Sequence, residues 1–362
     1  MNTASMHGPF KKIYDQIYKF VQKESSNNRT IGIVLFGSYA RGNINSNSDI
    51  DLLIIEESPS ITSQKILVED KILHVHRWPV NVFNRLFVAD FHNPYSGAFC
   101  LDVVRSCRIL YDPKGVVKSY KKHVDAISFP SLYTLFFLRK AEKRLYHAQA
   151  FMSKGCLERA ELLARKASED LGRAYLLKNG SPQIFPAKFF APKLRQISPD
   201  FWEIFAEVNN IEDVGMSDVE DPFYKVLEEN YELLLKSKGN KCPELFRCID
   251  VANNEILNAR DCLENRDFAA AMLQIRYAAT VLIRLIMGCD NLKNECCEDP
   301  LGALPNSGRV EHKVREMLEL AVQIRGEKSS LRDEIEILRD FAKNLENELG
   351  CYYKSVHGLR CA

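Results

Sequence analysis

Residues 37–51 read Gly37-Ser38-Tyr39-Ala40-Arg41-Gly42-Asn43-Ile44-Asn45-Ser46-Asn47-Ser48-Asp49-Ile50-Asp51. The apolar run Ile31-Gly32-Ile33-Val34-Leu35-Phe36 leads into them and Leu52-Leu53-Ile54-Ile55 leaves them. The pattern is a strand, a Gly-Ser turn into a short helix, a polar loop, and a second strand opened by two aspartates. Alternate residues of a strand point to one side. Asp49 and Asp51 are therefore expected side by side, with Ile50 facing a core. Two neighbouring carboxylates favour a divalent cation, and oxygen-only ligands favour Mg²⁺ or Mn²⁺. At Gly37 and Ser38, free backbone N–H groups suit a triphosphate, and a glycine lets it approach closely. Asp-x-Asp alone is often a solvated strand end, and Gly-Ser alone is a turn. The ordered combination of all these parts is the specific signal.

Gly37-Ser38-Tyr39-Ala40-Arg41-Gly42 followed by Ser48-Asp49-Ile50-Asp51-Leu52 resembles the signature of the DNA polymerase β nucleotidyltransferase superfamily. The resemblance is nearest to minimal nucleotidyltransferases and to kanamycin or streptomycin nucleotidyltransferases. It implies transfer of a nucleoside monophosphate from a nucleoside triphosphate, with ATP favoured, and loss of pyrophosphate. It also implies Asp-held metal ions and a serine at the nucleotide phosphates. Carried onto this chain, Gly37 and Ser38 are phosphate ligands, while Asp49 and Asp51 are metal ligands and catalytic residues. Arg41 and Ser48 complete the expected nucleotide-contacting set, Arg41 either balancing phosphate charge or capping the turn.

One position departs from the family pattern, which places a third carboxylate on a following strand. The matching segment here is Lys71-Ile72-Leu73-His74-Val75-His76-Arg77-Trp78-Pro79. His74 holds the acid position and His76 shares its face. An imidazole accepts a proton near neutral pH and ligates Mn²⁺ or Zn²⁺, but adds no negative charge. His74 is therefore the expected base or second-metal ligand, with an altered metal preference. The competing expectation is a silent site that binds nucleotide without turnover. Glu69 and Asp70 would supply an acid in a different strand register.

The 362 residues suffice for two or three domains. A formal net charge of +1 provides no whole-protein field for nucleic acid or an anionic membrane, so general nucleic-acid binding is not expected. No stretch approaches the 18 apolar residues of a membrane span, and the first thirty carry no long apolar segment of a signal peptide. Eleven cysteines without metal spacing, including the adjacent Cys296 and Cys297, read as reduced thiols of a cytoplasmic protein.

Apolar spacing predicts a helix from Phe10 to Lys23, a short one from Val80 to Val88, and a strand over Arg105–Tyr111 ending in a Pro-Gly turn. Beyond residue 116 the pattern is nearly all helix, so the fold class is α+β: a small mixed-sheet nucleotidyltransferase domain followed by two duplicated α-helical bundles. The expected domains are 1–115, 116–240 and 241–362. The duplication rests on a gap-free alignment of Tyr146–Asn179 with Leu257–Asp290. It matches Ala160 with Ala271, Arg165 with Arg276, Ala167 with Ala278 and Leu171 with Leu282. Gly155-Cys156-Leu157 falls on Arg266-Asp267-Phe268, at what should be the turn between two helices. Asn179-Gly180-Ser181-Pro182 is a helix stop, residues 299–308 form a Gly- and Pro-rich loop, and two charged helices close the chain. The bundles resemble the helical partners of kanamycin-type enzymes and of the HEPN superfamily. The Arg-His spacing of HEPN ribonucleases is missing around Arg139, Arg144 and His147, so RNA cleavage is not expected.

The reaction expected is therefore attack of an acceptor hydroxyl on the α-phosphorus of a triphosphate, in a cleft between the sheet and the first bundle. A small-molecule acceptor is favoured. A regulatory or antitoxin-like module acting on a partner protein, and a silent nucleotide sensor, are the alternatives. The second bundle is expected to enlarge the cleft or to provide a homodimer interface.

Overall fold

A computed structural model describes residues 9–45, 48–57, 60–68, 71–82, 94–126, 131–237, 243–286, 312–322 and 328–356. The architecture is α+β, with a mixed sheet in the N-terminal part and helices thereafter. The chain forms two compact units, 1–128 and 129–362. Glu69, Asp70, Cys296, Cys297, the loop at 299–308 and most of the predicted 80–88 helix lie outside the described residues.

In the first unit, helix α1 (Pro9–Ser25) is followed by strand β1 (Thr30–Phe36), the short helix α2 (Gly37–Arg41) and strands β2 (Ile50–Glu56), β3 (Thr62–Val68) and β4 (Lys71–Pro79). Helix α3 (Pro94–Ser106), strand β5 (Arg108–Tyr111) and helix α4 (Val116–Ala126) complete it. The sheet order is β3-β4-β2-β1-β5, with β2 and β4 parallel and the other pairs antiparallel.

The periodicity of α1 explains its place. Ile13, Ile17 and Val21 recur every fourth residue and are buried against one face of the sheet, formed by Ile33, Leu35, Ile50, Leu52, Ile54, Leu73 and Val75. By alternation, Val34, Phe36, Asp51, Leu53, His74 and His76 belong to the other face. Helix α3 lies there, with the Phe99 ring 6.3 Å from Phe36 and 6.1 Å from Trp78. Helices on both faces account for the unbroken apolar runs of β1 and β2. The predicted strand at Arg105 is corrected by α3: Arg105 and Ser106 end this helix, and only Arg108–Tyr111 is strand. Pro94 at its first turn starts the helix, a signal the Arg105 reading passed over.

The second unit contains helices α5 (Ser131–Ser153), α6 (Leu157–Lys178), α7 (Ala187–Ile197), α8 (Pro199–Asn209), α9 (Met216–Lys236), α10 (Pro243–Glu264), α11 (Phe268–Ile286), α12 (His312–Val322) and α13 (Lys328–Val356). The sequence suggested boundaries at 115/116 and 240/241. In the structure α4 packs on α3 and β1 within the first unit, and α7 packs against α6, α8, α10 and α11 within the second.

The hairpins α5–α6 and α10–α11 turn in the same way. Gly155 (φ 78°) and Arg266 (φ 56°) are both left-handed and occupy aligned positions. Cys156 N–H donates to Phe151 O and Asp267 N–H to Cys262 O, each at 2.9 Å, again in aligned positions. Arg165 donates to Val208 O at 3.2 Å, and Arg276 donates to Asn209 O and Asn210 O. Matched arginines of the two hairpins thus converge on the C-terminal carbonyls of α8, where a cation is favoured. The two hairpins share their turn geometry and this pair of arginines.

Candidate functional site

The site is built where β1 ends. Phe36 is extended (φ −135°), and Gly37 then takes φ +69° to start α2. A left-handed residue turns the chain away from the sheet and leaves room beside it. That room is filled by Asp51, which pairs with Phe36 across the β1–β2 ladder. A Cβ added at Gly37 would lie 2.2 Å from Asp51 Oδ2. Glycine is required here twice over, for backbone conformation and for the approach of a carboxylate. Gly42, also left-handed (φ 82°), ends α2, and its N–H donates to Ser38 O.

Asp51 faces a second residue from the opposite neighbour. In the parallel β2–β4 ladder it is paired with His74, and its Oδ1 lies 3.6 Å from His74 Nδ1. His76, two residues along β4, shares that face, with its ring centroid 3.9 Å from His74 and 5.4 Å from Phe36. One donor atom from each of Asp51, His74 and His76 fits within 4.8 Å. This donor set fits a divalent cation.

Asp49 stands one residue before β2. It is not a member of the Asp51–His74–His76 trio, and its charge acts on His74 instead. The protonation of both imidazoles is depressed. Burial lowers His74 most, Asp49 opposes this, and Lys65 adds to it. His76 is pushed down to about 4 by burial first, then by His74 and Lys65. At neutral pH both rings are therefore uncharged, with lone pairs available for a proton or a metal ion.

The other residues of the signature are placed as follows. Ser38 is half-buried in the first turn of α2. Ser48 is buried, and its Oγ accepts from Asn45 N–H at 2.9 Å, closing the loop ahead of Asp49. Arg41 is ion-paired with Asp102 on α3, so it anchors α2. Burial pushes the Asp102 carboxyl up, against the pull of Arg41 and Arg105. Arg108 of β5 donates to Ala40 O at 2.8 Å and supports the end of the same short helix. Arg105 instead donates to Val124 O on α4. Asp102 carried no motif in the sequence. Its role follows from α3, whose position is a tertiary fact.

A family model described as a nucleotidyltransferase domain matches residues 15–103. Residues 15–103 belong to a nucleotidyltransferase domain. The match runs from α1 into α3 and so contains the Gly37 turn, Asp49, Asp51, His74 and His76 of this nucleotidyltransferase domain. No curated protein matches the chain in sequence. Among solved structures, the chain is similar to a nucleotidyltransferase-like protein from Exiguobacterium sibiricum 255-15. The identity is 14%, with 76% of this chain and 79% of that chain covered and a TM-score of 0.39. No described helix is long and apolar enough to cross a membrane.

The helical unit holds a cavity of its own, lined by Glu169, Arg173, Phe185, Phe190, Glu255 and Gln274 among others. Its two carboxylates behave differently. Burial would push Glu169 up, yet Lys166, Arg173 and Arg144 together hold it below its ordinary value. Glu255 is pushed up to about 7 by burial, with a hydrogen bond from Asn258 and the charge of Lys188 only partly opposing this. The amide of Gln274, oriented by its hydrogen-bond network, donates to Glu255. It accepts from the N–H groups of Ala187 and Lys188 at 3.1 and 3.2 Å, satisfying the start of α7.

Because the folded-state pKa of Glu255 is raised, the folded chain binds the proton more tightly than the unfolded chain. Stability is therefore lost as pH rises from the ordinary glutamate range through about 7. Glu255→Gln is expected to raise stability at pH 8 by about 2 kcal/mol and to change it little at pH 5. Urea unfolding at the two pH values measures the difference. An equal effect at both would refute the assignment.

Proposed function

We propose that the nucleotidyltransferase domain transfers a nucleoside monophosphate, with ATP favoured as donor, to a hydroxyl acceptor and releases pyrophosphate. The observation that carries this reading is the carboxylate of Asp51 packed into the space that Gly37 leaves without a side chain. It sets an acid directly beside a backbone turn suited to phosphate.

Gly37 and Ser38 would orient the triphosphate. Asp51 and the two histidines, with the charge of Asp49 nearby, would hold a divalent ion. When bound, that ion neutralises phosphate charge and acidifies the acceptor hydroxyl. The acceptor oxygen forms a bond to the α-phosphorus, the bridging P–O bond breaks, and pyrophosphate leaves with the electron pair. His74 would take the acceptor's proton only where its lone pair is not on the ion; as a ligand it would leave that proton to solvent. Positioning and charge neutralisation dominate such transfers, so few side chains are needed. The near-zero net charge supports a small-molecule acceptor over nucleic acid.

The test is incubation of the full chain with each α-labelled nucleoside triphosphate and a small-molecule extract. Asp49→Ala and Asp51→Ala serve as controls. Each variant is expected to lower pyrophosphate release at least about a hundredfold, as expected when preorganised charge is removed from such a site. Transfer that survives both substitutions would rule out the reading. A second reading is favoured by one observation: a histidine rather than an acid faces Asp51 in the ladder. ATP binding without turnover would identify a silent sensor, and label appearing on protein would identify a module that modifies a partner.

A further inference from the structure

We infer that Asp51, His74 and His76 form a transition-metal centre of zinc type, which loads its ion without nucleotide and does not exchange it for Mg²⁺. This depends on the transfer reading only for the anion that would fill the remaining coordination position.

Donor chemistry makes the first argument. Two imidazoles and one carboxylate select Zn²⁺, Co²⁺ or Mn²⁺ over Mg²⁺, which keeps to oxygen. Three protein ligands leave one position open, as in catalytic rather than structural zinc sites. Asp49, close enough for its charge to act on His74, adds a second negative charge beside the centre.

Geometry makes the second. Two donors on a tetrahedral ion with metal–ligand distances of about 2.0–2.2 Å lie about 3.4 Å apart. Neighbouring donors on octahedral Mg²⁺ lie about 3.0 Å apart. Asp51 Oδ1 and His74 Nδ1 are 3.6 Å apart, too far for a hydrogen bond and near the tetrahedral spacing. His76 completes a set in which all donors fall within 4.8 Å, so small side-chain rotations bring the three onto one ion.

Rigidity makes the third. All three residues sit on paired strands. The Asp51–His74 register is fixed by the β2–β4 ladder, and the i, i+2 relation places both histidines on one face. Phe36 against His76 gives the site an apolar wall. Lys65, paired with His74 from the edge strand β3, opposes a cation here. It is exposed, so solvent screens it.

The experiment uses untagged, full-length protein stripped by a chelator and titrated with Co²⁺ without nucleotide. One ion per chain is expected, with the visible bands of four- or five-coordinate Co²⁺, no thiolate charge-transfer band, and no displacement by a thousandfold excess of Mg²⁺. His76→Ala and the milder His76→Asn are expected to weaken binding by at least about a hundredfold, since loss of outer partners alone costs tenfold to a hundredfold. Both variants are checked for folding by circular dichroism. Displacement by Mg²⁺, a thiolate band, or unchanged Co²⁺ binding in a folded His76 variant would each overturn the centre. The transfer reading is judged separately. Tight Co²⁺ binding without pyrophosphate release removes transfer and keeps the centre. Mg²⁺-driven transfer untouched by His76→Asn removes the centre and keeps transfer.

Discussion

Gly37→Ala is expected to lower pyrophosphate release on the order of a hundredfold, the effect of misplacing a catalytic group by about 1 Å. Two causes act together. A non-glycine residue at φ +69° carries strain of about 1–3 kcal/mol. The new methyl would also sit 2.2 Å from Asp51 Oδ2 and 3.1 Å from its Cγ, so the carboxylate must leave its place. Asp51 has little room to give, with His74 facing it from β4. Gly42→Ala is the matched control. Its φ of 82° imposes similar strain, but a Cβ there meets nothing within 4 Å. Both variants should lose comparable stability in urea, and only Gly37→Ala should lose transfer. Equal activities would show that Asp51 does not need its present position.

Asp170→Ala is expected to destabilise the helical unit by about 3–5 kcal/mol, the usual consequence of stranding a buried charge. Asp170 is fully buried on α6 between Arg144 and Arg173. Arg173 lies 3.0 Å from Asp170 and also reaches Glu169 at 3.1 Å, while Arg144 donates to Lys166 O at 3.1 Å. Removing the carboxylate leaves two buried guanidiniums facing each other without their shared anion. Urea unfolding followed by far-ultraviolet circular dichroism reads the change. A loss below about 1 kcal/mol would mean that the network is solvated or rearranges freely. The aligned positions of the second hairpin do not repeat this network: Arg144 falls on Glu255 and Asp170 on Val281. The two hairpins therefore share their turns and their buried, α8-capping arginines but not the Arg144–Asp170 pair.

Several parts of this chain were legible without a fold. The apolar runs flanking residues 37–51 dictate two strands, and Gly37 marks where the chain must turn left-handed, because only glycine adopts that backbone without strain. Asp51, His74 and His76 were candidates because strand alternation assigns each a face. The aligned Gly155 and Arg266 turns were recoverable because matched helix lengths keep the register. Other parts were not legible. Helix α3 was missed because its apolar residues lack a single clear stripe, and Arg105 was consequently read as strand. Asp102 had no local pattern, since its partner Arg41 is distant in sequence.

Residue chemistry and local spacing alone determined the strand–turn–strand nucleotidyltransferase core and the list of side chains able to bind metal or phosphate. These follow from backbone sterics and alternation, which act over a few residues. Which of those side chains meet was decided only by tertiary structure. The parallel pairing of β2 with β4 sets Asp51 against His74 and brings in His76, with the charge of Asp49 acting on His74 from outside that trio. The packing of α3 gives Arg41 an ion-pair partner in Asp102. Strand order and helix placement depend on how the whole apolar surface is buried, a property that no short stretch of sequence carries.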